Sequence, residues 1–564
     1  MKAKKKMVIY QVLPRLFGND NGKCVKNGTI GENGSGKFSA FTPTALKAIG
    51  ELGTTHIWYT GIIEHATQTN YPAYGIATDH PDVVKGIAGS PYAVKDYYDV
   101  DPDLADNVAG RMSEFEALVE RTHNEGMEVI IDFVPNHVAR QYGSDAKPGG
   151  VRDLGEGDEL SVGFSNQNNF YYITQSPFAP HFDLFSDKSV GEYSEFPAKA
   201  TGNDVFSASP NRNDWYETIK LNYGVDYLGG GVGVFEPIPD TWKKMLDILL
   251  FWADKQVDGF RCDMAQMVPV AFWEWSIPRV KELFPDIIFI AEIYESNRYR
   301  EFLSEGHFDY LYDKVGLYDT LRGVVCGHTW ATEITHCWQA NEGIQAQMLN
   351  FMENHDEQRI ASDFFAADAR KGFPAMVVAA VINTNPVMIY AGQELGERGM
   401  DEEGFSGCDG RTTIFDYWTV ASIRNWRNNG AFDGAKLADN ERALRNAYVK
   451  LLNLCCTEPA ISEGEFFDLM YANFYNDSFN CDRQYAFFRH LGSDILLVCV
   501  NFGAEAAATG VNIPAYAFEH IGIEVGEKRI MTDLLTGEQV AADLNPDRRV
   551  FFDMLPYSAR VFRV

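Results

Sequence analysis

Three hydrophobic runs of this 564-residue chain each stop at a carboxylate: Gly259-Phe260-Arg261-Cys262-Asp263, Phe289-Ile290-Ala291-Glu292 and Asn354-His355-Asp356. An acid at the end of a buried strand is costly unless something uses it, because charges are rarely left desolvated without a partner. Taken singly, each is an ordinary cap or ion-pair residue; in chain order, the three point to one acidic site. Arg261 stands two residues before Asp263, so strand alternation places guanidinium and carboxylate on one face, where the cation holds the acid ionised. That suits a nucleophile. Glu292 instead follows Ile287, Ile288, Phe289 and Ile290, and an apolar pocket raises a carboxyl pKa enough to keep a proton for donation. An ionised acid facing a protonated one is what retaining cleavage of a glycosidic bond requires, with the two carboxyls ~5 to 5.5 Å apart, and Asp356 adds a third acid.

Adjacent strands of a barrel supply that spacing, and the chain reads as alternating strands and helices. Short β-branched or aromatic runs stand at 7–13, 56–59, 129–134, in the stretch ending at Asp263, and at 287–291, 308–312, 346–352 and 386–390. Between them apolar residues recur at helical spacing: Ala45, Leu46, Ile49 and Leu52 before Gly53, Phe115, Leu118 and Val119 before Gly126, and Trp242, Met245, Leu249 and Trp252. Eight alternations with polar residues at strand C-termini predict an α/β fold, a (β/α)8 TIM barrel rather than a doubly wound sheet.

Two segments break the rhythm. Residues 138–236, rich in Gly, Asn, Asp and Ser, are too long for a simple loop and predict an inserted domain over the barrel mouth, as a lid or cleft wall. After residue 440 a helical stretch at 443–454 precedes alternating runs at 484–489, 495–500 and 550–554, with turns at Leu491-Gly492-Ser493 and Leu535-Thr536-Gly537, which predict a C-terminal antiparallel β-sandwich. The expected division is therefore 1–137 with 237–440 for the barrel, 138–236 for the insert and 441–564 for the sandwich.

Composition narrows the partners. The formal net charge is -30, from 79 acidic against 49 basic side chains, which repels nucleic acid and anionic membranes. An aromatic fraction of 13% suits a neutral ligand with flat faces such as a sugar. The nine cysteines contain no Cys-x-x-Cys pair, so neither zinc nor a disulfide framework is indicated. The lysines at positions 2, 4, 5 and 6 precede an apolar run that holds Gln11 and stops at Pro14-Arg15, short for a signal peptide, and no run reaches the ~20 apolar residues of a membrane span. A cytoplasmic protein is expected.

The segments Asp132-Phe133-Val134-Pro135-Asn136-His137, Gly259-Phe260-Arg261-Cys262-Asp263, Ala291-Glu292 and Asn354-His355-Asp356 resemble, in order, the four signature regions of the α-amylase family, glycoside hydrolase family 13. The likeness extends to Val8-Ile9-Tyr10-Gln11, Ser90-Pro91-Tyr92, Asp96-Tyr97-Tyr98 and Tyr390-Ala391-Gly392-Gln393-Glu394, and so spans roughly residues 7 to 420. The resemblance implies that Asp263 is the nucleophile, Glu292 the acid/base and Asp356 the third acid gripping sugar hydroxyls. It further implies that His137 and His355 hydrogen-bond that sugar, that Arg261 orients Asp263 and that Tyr92 stacks on the ring. The implied reaction is retaining hydrolysis of α-glucosidic bonds in α-glucans or maltooligosaccharides. The alternatives are a transglycosylase or isomerase sharing the covalent intermediate, and a non-catalytic carbohydrate-binding protein, which the intact acids and Arg261 argue against. Two departures stand out. Many family members carry a Lys-His pair where this chain has Gln266-Met267, and Lys220 occupies the position where an acidic calcium ligand often lies. An ammonium there replaces a cation rather than binding one, so no cofactor and no metal are expected, and calcium is open but not indicated.

Overall fold

The computed structural model describes residues 6–182, 190–526 and 528–564. Eight parallel strands close into a barrel: Val8–Val12 (β1), His56–Tyr59 (β2), Glu128–Phe133 (β3), Gly259–Cys262 (β4), Ile288–Ala291 (β5), Tyr310–Tyr312 (β6), Met348–Phe351 (β7) and Val387–Tyr390 (β8). Each overlaps a run expected to be a strand, with β3 beginning one residue earlier, at Glu128. Closure comes from β1, whose Val8 pairs with Val387 of β8 while Ile9 pairs with His56 of β2. Alternation then divides the side chains. Ile9, Trp58, Ile130, Ile290, Tyr312, Leu349 and Met388 fill the barrel interior, whereas Val8, Tyr10, Val129, Ile131 and Phe289 face the surrounding helices.

The helices bury stripes set by the expected spacing. Arg111–Asn124 hides Phe115, Leu118 and Val119, and Asp240–Asp254 hides Trp242, Met245, Leu249 and Trp252. Phe373–Val381 differs, with every residue after Phe373 buried, because it lies between β7 on one side and the strands Asp494–Asn501 and Ser558–Arg563 on the other. The helix expected at 443–454 runs from Asp439 to Thr457 and lies against the barrel. Its Arg445 Nη2 donates to Ala48 O at 2.7 Å, and Lys6 N donates to Cys455 O at 3.2 Å.

Two excursions build the barrel mouth. After β2, Ile63–His65 and Val94–Val100 form an antiparallel ribbon. After β3, the described residues of the inserted segment make short pairings: His137–Ala139 with Thr218–Lys220, Tyr172–Ile173 with Ala198–Lys199, and Val225–Asp226 with Val232–Gly233. Polar side chains do the work that a sheet would do elsewhere. Arg140 is buried and donates to Tyr216 O at 2.7 Å, Glu195 Oε1 at 2.8 Å and Thr218 O at 3.0 Å. The Asn- and Asp-rich composition of this segment therefore supplies partners for backbone groups that have no ladder.

The C-terminal region carries a six-stranded antiparallel sheet in the order Glu465–Asp468, Gln484–Leu491, Asp494–Asn501, Ser558–Arg563, Lys528–Asp533 and Gln539–Asp543, and a two-stranded one of Ala507–Val511 with Val550–Met554. Phe552 of the smaller sheet meets Phe562 of the larger, with ring centroids 4.9 Å apart. Gly492 and Gly537 take positive φ at the two expected turns. Among the described residues no helix is long and apolar enough to cross a membrane.

Arg489 pins this region to the barrel. It is fully buried and donates to Ala460 O at 3.1 Å, Ile461 O at 3.2 Å, Gly464 O at 2.7 Å and, on the barrel side, Ile382 O at 3.1 Å. Replacing it leaves buried carbonyls without donors, each a penalty of about 1–3 kcal/mol. Arg489→Met is expected to lower stability by about 2–4 kcal/mol, read as an earlier calorimetric melting transition with unchanged far-ultraviolet dichroism at low temperature.

Candidate active site

The site grows from Arg261. The register of β4 sets this residue beside Asp132 of β3 and Ile290 of β5, and alternation turns its side chain into the barrel with no exposure. Nη1 donates to Asp263 Oδ1 at 2.8 Å and to Asp132 Oδ1 at 3.3 Å, and Nε donates to Tyr312 OH at 3.2 Å. Nη2 forms a 2.8 Å ion pair with Glu292 Oε2, at an angle poor for a hydrogen bond. The guanidinium also lies 5.3–5.5 Å from the ring centres of Trp58, Tyr92 and Tyr312. One delocalised cation thus collects three carboxylates and three aromatic rings, which a lysine could not do.

Asp263 and Glu292 are locked to each other through backbone as well as charge. Met264, the residue after Asp263, sits at φ 43° and ψ 41°, a left-handed conformation that costs a non-glycine residue about 1 kcal/mol or more. The strained turn aims the Met264 amide at Glu292 Oε2, 2.7 Å away. Tyr294 OH donates to the other oxygen, Oε1, at 2.6 Å. Burial and the neighbouring Glu292 carboxylate push the Asp263 carboxyl well above the usual range, and Arg261 offsets only part of this. The expectation that Arg261 alone keeps Asp263 ionised is therefore incomplete. Asp263 is thus set between a cation that favours its charge and a carboxylate and burial that oppose it.

The third acid is differently placed. Asp356 opens to the cleft, its side chain 45% exposed, with Oδ2 3.0 Å from His355 Nε2. Surrounding protein works against its charge, but His355, Arg261 and Arg411 outweigh that and bring it down to about 2. His355 is held from behind by Gln11, whose amide lies 2.7 Å from Nδ1, and its ring stacks on Tyr92 with centroids 5.0 Å apart. Tyr92 OH reaches Asp132 Oδ1 at 3.4 Å. His137 contacts Trp215, 5.2 Å between ring centres, and burial together with Lys220 and Lys85 brings it down to about 3, so its imidazole is neutral.

These residues line one cleft of about 350 Å³, whose walls include Tyr92, His137, Asp263, Glu292 and Asp356, with Trp215, Glu217 and Thr218 contributed by the insert. All seven residues singled out in the sequence converge on this cleft or on its floor, where Arg261 and His355 lie. Sequence reasoning did not single out Asp132, Trp58, Tyr294 or Gln11. Asp132 carried a readable signal, since it is a lone acid within the hydrophobic run 129–134. Tyr294 and Gln11 carried none.

Both sequence departures have structural uses. Lys220 Nζ is buried, 2.5 Å from Asn136 Oδ1, 2.7 Å from Asp204 Oδ1 and 3.2 Å from Met267 O. The ammonium thus stands among oxygens from the barrel loops and from the insert, the kind of donor set a hard cation takes. Gln266 turns its Oε1 to the backbone amides of Tyr294, 2.7 Å away, and Glu295, 3.0 Å away. It orders the loop that carries the Glu292 partner Tyr294.

The model of the alpha amylase catalytic domain matches residues 11–176 and 237–442. This chain belongs to the alpha-amylase family. Among curated relatives, alpha-amylase MalA of Haloarcula japonica is 24% identical over 97% of this chain and 60% of its own length, and neopullulanase 2 of Thermoactinomyces vulgaris is 22% identical over 70% and 57%. The chain thus spans about 60% of the length of the relatives it matches. The fold is shared with a noncanonic maltogenic alpha-amylase AmyB of Thermotoga neapolitana, with a TM-score of 0.62 and 18% identity over 99% of this chain and 98% of that one. A cyclic alpha-maltosyl-(1→6)-maltose hydrolase of Arthrobacter globiformis superimposes with a TM-score of 0.63, again at 18% identity over 99% and 98%.

The Lys220 contacts join the insert to the barrel mouth, and their loss strands three oxygens. Lys220→Met is expected to cost about 2–4 kcal/mol and to lower the melting temperature measured by calorimetry. An unshifted transition would mean that these oxygens are satisfied without the ammonium.

Proposed function

We propose that this chain is a retaining glycoside hydrolase that cleaves α-glucosidic bonds in α-glucans or maltooligosaccharides through a covalent glycosyl–Asp263 intermediate. The observation that carries the reading is the single guanidinium bound to both acids, Asp263 Oδ1 on Nη1 and Glu292 Oε2 on Nη2, each at 2.8 Å. Carboxyls clamped side by side favour the ~5 to 5.5 Å separation of a retaining pair over the ~6.5–9.5 Å that an inverting pair needs to admit water between acid and sugar.

In this reading Glu292 protonates the glycosidic oxygen while Asp263 attacks the anomeric carbon, so the C–O bond to the leaving sugar breaks as the ester bond to Asp263 forms. Glu292, now ionised, takes a proton from water, whose oxygen displaces Asp263 and regenerates both acids. The Met264 amide and Tyr294 hydroxyl keep Glu292 aimed while its charge changes. Asp356, His355 and His137 contact the hydroxyls of the sugar that is being distorted, with Tyr92 against its face. Delivery of the glycosyl group to a second sugar instead of water would use the same intermediate, and product analysis separates the two outcomes.

Asp263→Asn should reduce turnover by several orders of magnitude with the fold intact, and a 2-deoxy-2-fluoro glucosyl fluoride should add one glycosyl mass to the peptide containing Asp263 in the unaltered protein. A label on any other acid would sink the assignment. Activity requires Asp263 ionised and is therefore lost as pH falls through its raised pKa. Burial is the larger cause of that rise, and Glu292→Gln removes the carboxylate that adds to it, so with a glucosyl fluoride, whose leaving group needs no proton, the acidic limb of the pH–rate profile should move to lower pH.

A further inference from the structure

A second group of acids lies where the Ile63–His65 and Val94–Val100 ribbon meets the start of the insert. One oxygen from each of Glu64, Asp96, Asp99 and Asp145 lies within 4.8 Å of the others. Glu64 and Asp96 are direct cross-strand partners, an arrangement that like charges make unfavourable unless something compensates. Glu64, Asp96 and Asp99 are 1%, 0% and 3% exposed, whereas Asp145 is exposed and forms the way in.

The compensation present is unequal. Asp99 pairs with Arg111. Asp96 accepts from the amides of Tyr98 at 2.8 Å, Asp145 at 3.0 Å and Ala146 at 3.1 Å, the last two brought by the insert. The neighbouring Lys95 is turned to Asp79, 2.9 Å away. Glu64 receives nothing of this kind: its buried Oε2 has no hydrogen-bond partner, although the side chain points into the cluster. Burial and Asp96 push Glu64 up to about 9, and burial pushes Asp96 up to about 6. A buried carboxylate with an orphaned oxygen among three others is either protonated or held by a cation. Four convergent oxygen donors, with no nitrogen or sulfur, are the chemistry of a hard divalent ion, and several carboxylates around one centre suit calcium better than the water-retaining magnesium.

We propose that Glu64, Asp96, Asp99 and Asp145 form a structural site for a calcium-sized divalent cation that ties the inserted segment to the ribbon after β2. The ion would hold Asp145, on the insert, to both strands of the ribbon, and would supply the orphaned Glu64 oxygen with a partner. The site is distinct from the Asn136–Lys220 contact, where the positive charge is the protein's own, and does not depend on the proposed reaction.

The test is calorimetric. The full chain, stripped with chelator, is titrated with calcium chloride, and its melting temperature is measured with and without the ion. The expected result is one saturable site and a melting temperature raised by several degrees, because an ion that binds only the folded state stabilises it. Asp145→Asn changes an exposed group that the core does not need, and Glu64→Gln keeps the shape of the side chain. Each should weaken calcium binding about tenfold or more and shrink the thermal shift. The proposal is overturned if calcium gives neither heat nor thermal shift, or if binding survives both substitutions unchanged. It is also overturned if Glu64→Gln alone stabilises the stripped protein while calcium has no effect, because the cluster is then held by a proton.

Discussion

The contact between Arg261 and the acids around it is the constraint on which the rest of the structure turns. A guanidinium with no solvent exposure is tolerable only if each of its faces and edges is occupied, and here carboxylates, a phenol and three aromatic rings occupy them. The strands must then stand in the register that brings Asp132, Asp263 and Glu292 to one level. The parallel barrel does this because its β3, β4 and β5 are neighbours and end together. The local strain at Met264 follows from the same demand, since only a sharp turn after Asp263 presents its amide to Glu292.

Buried cations recur as fasteners wherever the chain lacks regular pairing. Lys220 gathers oxygens from two barrel loops and the insert, Arg140 gathers carbonyls inside the insert, and Arg489 gathers helix-end carbonyls beneath the C-terminal sheet. Arg359 belongs with them, donating to Glu353 at 2.8 Å and to Ala391 O at 3.0 Å beside β8. In each case a single multidentate donor replaces several backbone bonds that sheet or helix would have provided. This chain is acidic overall, yet buried cations stand at several of its joints.

Much of this was readable in the residues. Short apolar runs located all eight barrel strands, since a strand buried on both faces is a near-continuous apolar run bounded by turns. The acids at strand ends announced the site because a parallel barrel puts strand C-termini on one rim. Less was legible where the controlling interaction is not local. The insert has almost no periodic signal, as its order rests on side-chain to backbone bonds between distant segments. The unusual backbone of Met264 has no signature, since methionine is ordinarily avoided at positive φ. The balance of charge on Asp263 also escaped, because it depends on how closely Glu292 approaches, and spacing along the chain says nothing about that distance. Gln266, read only as a missing Lys-His contact, has a positive use that could be seen only with the Tyr294 loop beside it.

The barrel closes by pairing Val8 with Val387, and the strand before that closure is further held by the Lys6 amide on Cys455. On a ribosome that makes the polypeptide from the amino end, the first strand therefore waits for most of the catalytic region before its second neighbour exists. Until then β1 presents an open hydrogen-bonding edge and apolar side chains on both faces, the features that invite pairing with another nascent copy. The protein's exposure to misassembly is thus set by topology and concentrated in the interval of synthesis.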